Sequence, residues 1–357
     1  MYKSEVPLYG DLIDIVRKVN GRTVQKTEGQ PRELHTGIER LTLERHGAIR
    51  LGTPYELQHA RRIFALLGMH PVGYYDLSSL EKNPFRVFTT LLRPELLKSD
   101  TARTLSTNLL AKRQIFSSRL LELLRLGKDQ GGRFTAAQAE AFIPEALHTF
   151  RWQPVAGVSP NQYNQLRAEH LILADVVTFQ SAHINHLTPR TLDINAAQRA
   201  MQEAGMAVKA SIEGPPAHKC PILLRQTSFL VVEEPVNFVI DGEHALTQGS
   251  HKARFGEIEE RGAVVTKGRA LYDALCLAKK HGYLSRVFQR FPDDWDEMRK
   301  QGLVYCRYRV KRVQELASDG IIEMSPITYE VFLPFSAAMV FQSNLPAHGT
   351  RLRLAGR

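Results

Sequence analysis

Glu44-Arg45-His46-Gly47-Ala48-Ile49-Arg50-Leu51-Gly52 is the stretch from which the rest of the chain can be read. Gly47 and its small and β-branched neighbours suit an extended segment better than a helix, where glycine is costly. In a strand, residues two apart share a face, so His46, Ala48 and Arg50 point the same way. An imidazole and a guanidinium then stand on one wall with only a methyl group between them. An imidazole can hold a divalent metal, and a fork of N–H donors beside it can hold the carboxylate of a metal-bound substrate. The plainer alternative is a half-buried strand carrying a solvated His and Arg.

The remainder of the chain narrows that choice. At 357 residues and 43% hydrophobic content it can bury a large core. No run of 18 apolar residues occurs, and Met1-Tyr2-Lys3-Ser4-Glu5-Val6-Pro7 lacks the apolar centre of a signal peptide, so a cytoplasmic protein with no membrane partner is expected. Cys220, Cys276 and Cys306 lie far apart with no CxxC pair and read as reduced thiols. The net charge of +10 raises nucleic acid as a partner. Yet the densest basic cluster, Arg307, Arg309, Lys311 and Arg312, is short and no nucleic-acid-binding motif accompanies it. An anionic small molecule explains inward-facing arginines equally well.

Along the chain, Leu8, Leu12, Ile15, Val16 and Val19 carry helical spacing, with Asn20-Gly21 as a stop. Thr53-Pro54 opens a second helix, with Thr53 as N-cap and Pro54 at the first helical position. Residues 84–150 read as mostly helical, including a long amphipathic run from Thr104 to Leu126, and form an inserted helical layer. Ser159-Pro160 opens a short helix to His170. Leu171 to Phe179 is apolar apart from Asp175 and Thr178, and leads into Ser181-Ala182-His183-Ile184-Asn185-His186-Leu187-Thr188-Pro189-Arg190. A helix over Ile194 to Gly205 follows, then strands around Val208–Ile212 and Ile222–Val232, a hairpin turn at Asp241-Gly242 and a strand over Ala253–Glu259. Helices over Gly268–Lys280 and Asp293–Gln301 precede strands at Leu303–Val310 and Ile327–Phe335.

Three separated segments carry chemistry: His46 with Arg50, the pair His183 and His186, and the pair Glu257 and Glu259. Two imidazoles and one carboxylate are the ligand set of non-haem Fe(II) oxygenases, which leave the other metal positions open. His183 and His186 are three apart and face opposite sides of a strand, so one of them is the ligand. Glu257 and Glu259 share a face. A zinc hydrolase could use the same set.

Glu44-Arg45-His46-Gly47-Ala48-Ile49-Arg50, Gly73-Tyr74-Tyr75-Asp76-Leu77, His183 through Arg190, Arg254-Phe255-Gly256-Glu257-Ile258-Glu259 and Phe332-Leu333-Pro334-Phe335-Ser336-Ala337-Ala338 resemble the 2-oxoadipate dioxygenase/decarboxylase (hydroxyglutarate synthase) family over nearly the whole chain. The resemblance implies an α+β fold like that of the vicinal-oxygen-chelate proteins, a sheet cupped around one metal. It implies one oxygenase domain over residues 1–357, with the helical insertion at 84–150 and an atypical tail at 345–357. It also implies that Fe(II) is the cofactor and that 2-oxoadipate and O₂ become 2-hydroxyglutarate and CO₂ in lysine breakdown. His46, His186 and Glu257 match the metal ligands, with His183 an alternative to His186. Arg50 matches the arginine that grips substrate, while Phe335 and Ser336 match the contacts to its distal carboxylate. Arg190, Arg225 and Arg254 are further candidates around the site. Relative to the family, the chain starts after the first helix, lacks a segment between Leu77 and Pro84, and departs after Asn344. An altered paralogue that binds metal without turnover is therefore the competing expectation.

Overall fold

The computed structural model describes residues 1–26, 45–71, 89–223, 225–240, 246–260, 264–277, 288–310 and 322–327. Its strands are β1 (Arg45–Leu51), β2 (Thr89–Leu91), β3 (Val155–Ala156), β4 (Ile184–Pro189), β5 (Arg225–Ser228), β6 (Val232–Val239), β7 (Leu246–Glu260), β8 (Cys306–Val310) and β9 (Ile322–Pro326). A seven-stranded sheet runs in the order β2-β1-β4-β7-β6-β3, with β5 also pairing β7, while β8 and β9 form a separate hairpin-like pair. The expected α+β class therefore holds, and β1 is a strand as the glycine-containing stretch predicts. Among the described residues, no helix is long and apolar enough to cross a membrane.

One face of the sheet is closed by helices. The amphipathic helix Pro7–Lys26 lays Leu12, Val16 and Val19 against Ile194, Ala197 and Met201 of helix Ile194–Glu203, and both meet Phe229 and Ile258. At the β1 end, Ile49 and Leu51 join Ile63, Leu120, Leu123 and Phe142 from helices Pro54–Leu66, Ser118–Asp129 and Ala136–Phe150. Burying each such aliphatic side chain contributes roughly 1.5–3 kcal/mol before chain entropy is set against it. The helices start where their caps require. Thr53 accepts the Glu56 N–H with Pro54 behind it, and Ser159 forms a full capping box with Gln162.

Four expectations change. Helix Pro7–Lys26 runs through Asn20-Gly21 instead of stopping there. Asn20 is buried because its side chain donates to Arg190 O and accepts from Leu192 N–H, so it clamps the end of β4 instead of capping a helix. The Thr104–Leu126 run is two helices, Asp100–Lys112 and Ser118–Asp129. The break lies where Arg113 turns inward to bond Glu56 and the Phe179 and Ser181 carbonyls. Within the supposed helical layer, β2 is a strand, parallel to β1 through Ile49–Leu51. The strand expected over Ala253–Glu259 is the end of the 15-residue β7. The turn expected at Asp241-Gly242 and most of the strand expected over Ile327–Phe335 fall outside the described residues; β6 and β7 pair antiparallel.

Candidate functional site

The site lies on the sheet face opposite the helices Pro7–Lys26 and Ile194–Glu203, and strand register fixes which positions reach it. On β7, Ile258 is buried in the helix-side core. A Cβ at Gly256 would sit 2.1 Å from Phe229 and 2.9 Å from Leu12, so 256 also faces the helices. Position 257, between them, belongs to the other face. On β4, Leu187 packs with the helix-side core, which sends His186 and Thr188 to the site face. Across β1 and β4, Ala48 pairs with His186 and His46 with Thr188; across β4 and β7, His186 pairs with Phe255 and Leu187 with Gly256. Strands about 4.8 Å apart then set positions 46 and 257 about 10 Å apart on either side of Thr188, with His186 one step along the middle strand. The side chains of His46, Glu257 and Glu259 lie outside the described residues, as do Phe335 and Ser336 entirely; Arg254 is described in backbone alone.

A register shift between Ala48 and Ile49 makes Asn185 an extra residue in β4, because Ala48 pairs with His186 but Ile49 with Ile184. That bulge overturns the expectation that His183 and His186 face opposite sides. The inserted residue resets the alternation, and both imidazoles are buried on the site side, each near Arg50. They nevertheless do different things. Burial pushes the His186 pKa down to about 3, with the Arg50 and Lys209 charges acting in the same direction, so His186 is a neutral imidazole at neutral pH.

His183 belongs to a cluster around Asp175. Asp175 Oδ1 accepts from His183 Nε2 at 3.1 Å and His251 Nε2 at 2.9 Å, and Oδ2 accepts from Asn185 Nδ2 at 3.0 Å and from Arg50. The Tyr163 hydroxyl meets His251 Nδ1 at 2.8 Å, so the imidazole relays that hydroxyl to the carboxylate. Trp152 packs edge-on to His183 and stacks on His251. Burial by itself pushes the Asp175 carboxyl up. Arg50, His183 and the two imidazole hydrogen bonds outweigh it and hold the group well below the usual carboxylate range. Burial, with Asp175 adding to it against the opposing pull of Arg167, raises the Tyr163 phenol to about 12.

Asp175, His183 and His251 bring their ligand atoms within 4.8 Å of one another, close enough to hold a metal ion. As they stand, both imidazoles spend Nε2 on the carboxylate itself, and the Arg50 cation sits beside it. A divalent ion there would displace two hydrogen bonds and meet a like charge. The arrangement instead holds Arg50, which is 3% exposed. Asp175 was visible in the sequence only as the single charge in an apolar run, and His251 carried no spacing signal at all. Of the other candidates, Arg190 is buried at the end of β4. Arg225 donates to Pro215 O and Asn195 Oδ1, a structural clamp.

Thr188 and Gln226 complete the face. Thr188 is fully buried and its hydroxyl has no hydrogen-bond partner among the described residues; the same is true of Gln226 Oε1. Gln226 and Ser228 on β5 pair with Glu259 and Glu257, so both stand beside the acidic positions.

Comparison with known proteins identifies the family. The family model described as 2-oxoadipate dioxygenase/decarboxylase matches residues 1–344. The 2-oxoadipate dioxygenase/decarboxylase of Pseudomonas putida is 47% identical, over 97% of this chain and 84% of its own length. Its Escherichia coli counterpart is 45% identical, over 97% and 85%. The crystal structure of the Pseudomonas putida hydroxyglutarate synthase in complex with 2-oxoadipate superposes with a TM-score of 0.83 at 44% identity, covering 97% of this chain and 87% of that one.

Proposed function

Since the chain belongs to the 2-oxoadipate dioxygenase/decarboxylase family, we propose that it converts 2-oxoadipate and O₂ to 2-hydroxyglutarate and CO₂, as a step of lysine breakdown, with Fe(II) held by His46, His186 and Glu257. The register supports this reading: in backbone pairing, positions 46 and 257 flank Thr188 on neighbouring strands, with 186 one step along the middle one. Two neutral imidazoles and one carboxylate suit a divalent ion and leave positions for a chelating keto acid. The face fits such a group in a second respect. Thr188 Oγ1 and Gln226 Oε1 are buried without partners among the described residues, and buried polar atoms of that kind call for a ligand or water.

Bound iron would supply redox activation of O₂ and a Lewis-acid anchor for the keto acid, whose own oxidation provides the electrons. The chain itself does the rest. His186 offers a lone pair across the neutral pH range because burial keeps it unprotonated. Arg50 presents its guanidinium toward the same space while Asp175 fixes its orientation, so a carboxylate meets a fork that is already oriented. The Asp175 carboxylate stays ionised and offsets the Arg50 charge, which keeps a buried cation tolerable before substrate arrives. The sheet cupped around this metal is the vicinal-oxygen-chelate-like arrangement that the sequence resemblance implies.

The test is oxygen uptake by the Fe(II)-loaded protein with 2-oxoadipate, alongside metal content. One CO₂ and one 2-hydroxyglutarate per O₂ consumed is the expected result. A protein that retains stoichiometric iron yet consumes no O₂ with 2-oxoadipate has a different activity.

A further inference from the structure

We propose that His251 is a positioning residue for substrate: it fixes the Asp175 carboxylate that orients Arg50, and the Tyr163 hydroxyl pins its ring. The inference rests on the reading just given and carries it to two residues that no sequence motif touches.

The contacts run through four elements. Tyr163 stands on helix Pro160–Glu169, His251 on β7, Asp175 on helix Leu171–Thr178 and Arg50 on β1. The Tyr163 hydroxyl lies 2.8 Å from His251 Nδ1, and His251 Nε2 lies 2.9 Å from Asp175 Oδ1. Oδ2 of the same carboxylate holds Arg50. All four residues are buried, so bulk water offers none of them a substitute partner.

Chemistry gives the contacts a direction. Against the opposing effect of burial, Arg50 and His183 keep Asp175 ionised. An ionised carboxylate only accepts hydrogen bonds, so His251 Nε2 carries a hydrogen and donates it. In the neutral ring Nδ1 is then a lone pair that needs a donor of its own. Burial raises the Tyr163 phenol to about 12, so its hydroxyl keeps a hydrogen to donate there.

A carboxylate gripped through one oxygen can swing about its Cβ–Cγ bond and take Arg50 with it. His251 and His183 meet at Oδ1 and oppose that swing. The His251 ring is itself confined. Trp152 stacks on it, the Phe179 ring centre lies 4.8 Å from its own, and Tyr163 holds the nitrogen that Asp175 does not.

The experiment is anaerobic titration of the Fe(II) protein with 2-oxoadipate, taken through a double-mutant cycle with Arg50. His251→Leu is expected to weaken 2-oxoadipate about tenfold, the size of roughly one hydrogen bond, with iron content unchanged. His251→Gln, which can place an amide N–H where Nε2 stood, restores most of the loss. In an Arg50→Lys background His251→Leu weakens binding no further, within about twofold, because the residue through which it acts is gone. Tyr163→Phe removes a single oxygen and carries the test if His251→Leu does not fold. It should weaken binding about threefold in the parent and not in Arg50→Lys. Equal losses in both backgrounds show a general structural role and overturn the inference, as does unchanged affinity in both His251→Leu and Tyr163→Phe. Failure of the parent itself to bind 2-oxoadipate removes the functional reading beneath it.

Discussion

Two buried polar groups of residues share one face of the sheet and differ in what stands at their centre: an ionised carboxylate in one, a hydroxyl in the other. Around Asp175 each carboxylate oxygen is engaged, by Arg50 and Asn185 on one side and by His183 and His251 on the other. Around Thr188 a buried hydroxyl and a neighbouring buried amide oxygen have no partner among the described residues. A carboxylate with both oxygens engaged holds its partners in place, even though Asn185 Oδ1 beside it has no partner among the described residues; a buried polar atom without one is costly unless something else occupies it. In the proposed reading the first group positions Arg50 and the second faces the ligand.

Metal content separates the two groups most sharply. His186→Ala should reduce Fe(II) affinity by orders of magnitude, since two protein ligands leave the ion largely hydrated, whereas His251→Ala should retain stoichiometric iron. Iron analysis of the two purified variants decides it. The reverse pattern would move the metal to Asp175, His183 and His251 and would invert the comparison.

The next effect is on stability. Asp175→Asn leaves the Arg50 charge buried without its counter-ion, a change that typically costs about 3–5 kcal/mol. Glu56→Gln should cost a similar amount, because Arg113 is equally buried and bonds both Glu56 oxygens at 2.8–2.9 Å. Chemical denaturation measures both. The comparison is sharpened by binding: Asp175→Asn should also weaken 2-oxoadipate through a misaligned Arg50, while Glu56→Gln leaves affinity unchanged. Equal binding losses would show that Asp175 acts through stability alone.

The sequence disclosed these groups unevenly, for identifiable reasons. Glycine between small and β-branched residues marks β1, and Thr53-Pro54 and Ser159-Pro160 mark helix starts, because each signal is local chemistry. His186 was legible as one of two histidines. The extra residue Asn185 brings His183 to the same side, and what then separates the two is the bond from His183 Nε2 to Asp175; a bulge follows from cross-strand register, which a single strand's alternation does not encode. Asp175 sits on helix Leu171–Thr178, where an apolar run hides a charge whose four partners come from β1, β4, β7 and the loop before β4.

The smallest effect concerns how the Asp175 helix is started. His170 caps it, with Nδ1 accepting the Ile172 N–H at 3.1 Å, and an acceptor nitrogen must be unprotonated. Burial, reinforced by the Arg50 charge and opposed by Glu169, lowers its pKa to about 4. The unfolded chain binds a proton near pH 6.5, so between about pH 6.5 and 4 it holds more protons than the folded one. Stability therefore falls as pH drops through that window and levels off below it, with a slope of at most about 1.4 kcal/mol per pH unit. Asparagine at 170 keeps a capping acceptor and does not titrate. The parent should lose about 2 kcal/mol relative to His170→Asn between pH 7.5 and pH 5, or less to the extent that solvent reaches the ring. Urea unfolding of both proteins at the two pH values gives this difference directly. If the two proteins lose stability in parallel, the cap does not titrate in this window, and the helix that carries Asp175 stays anchored in acid.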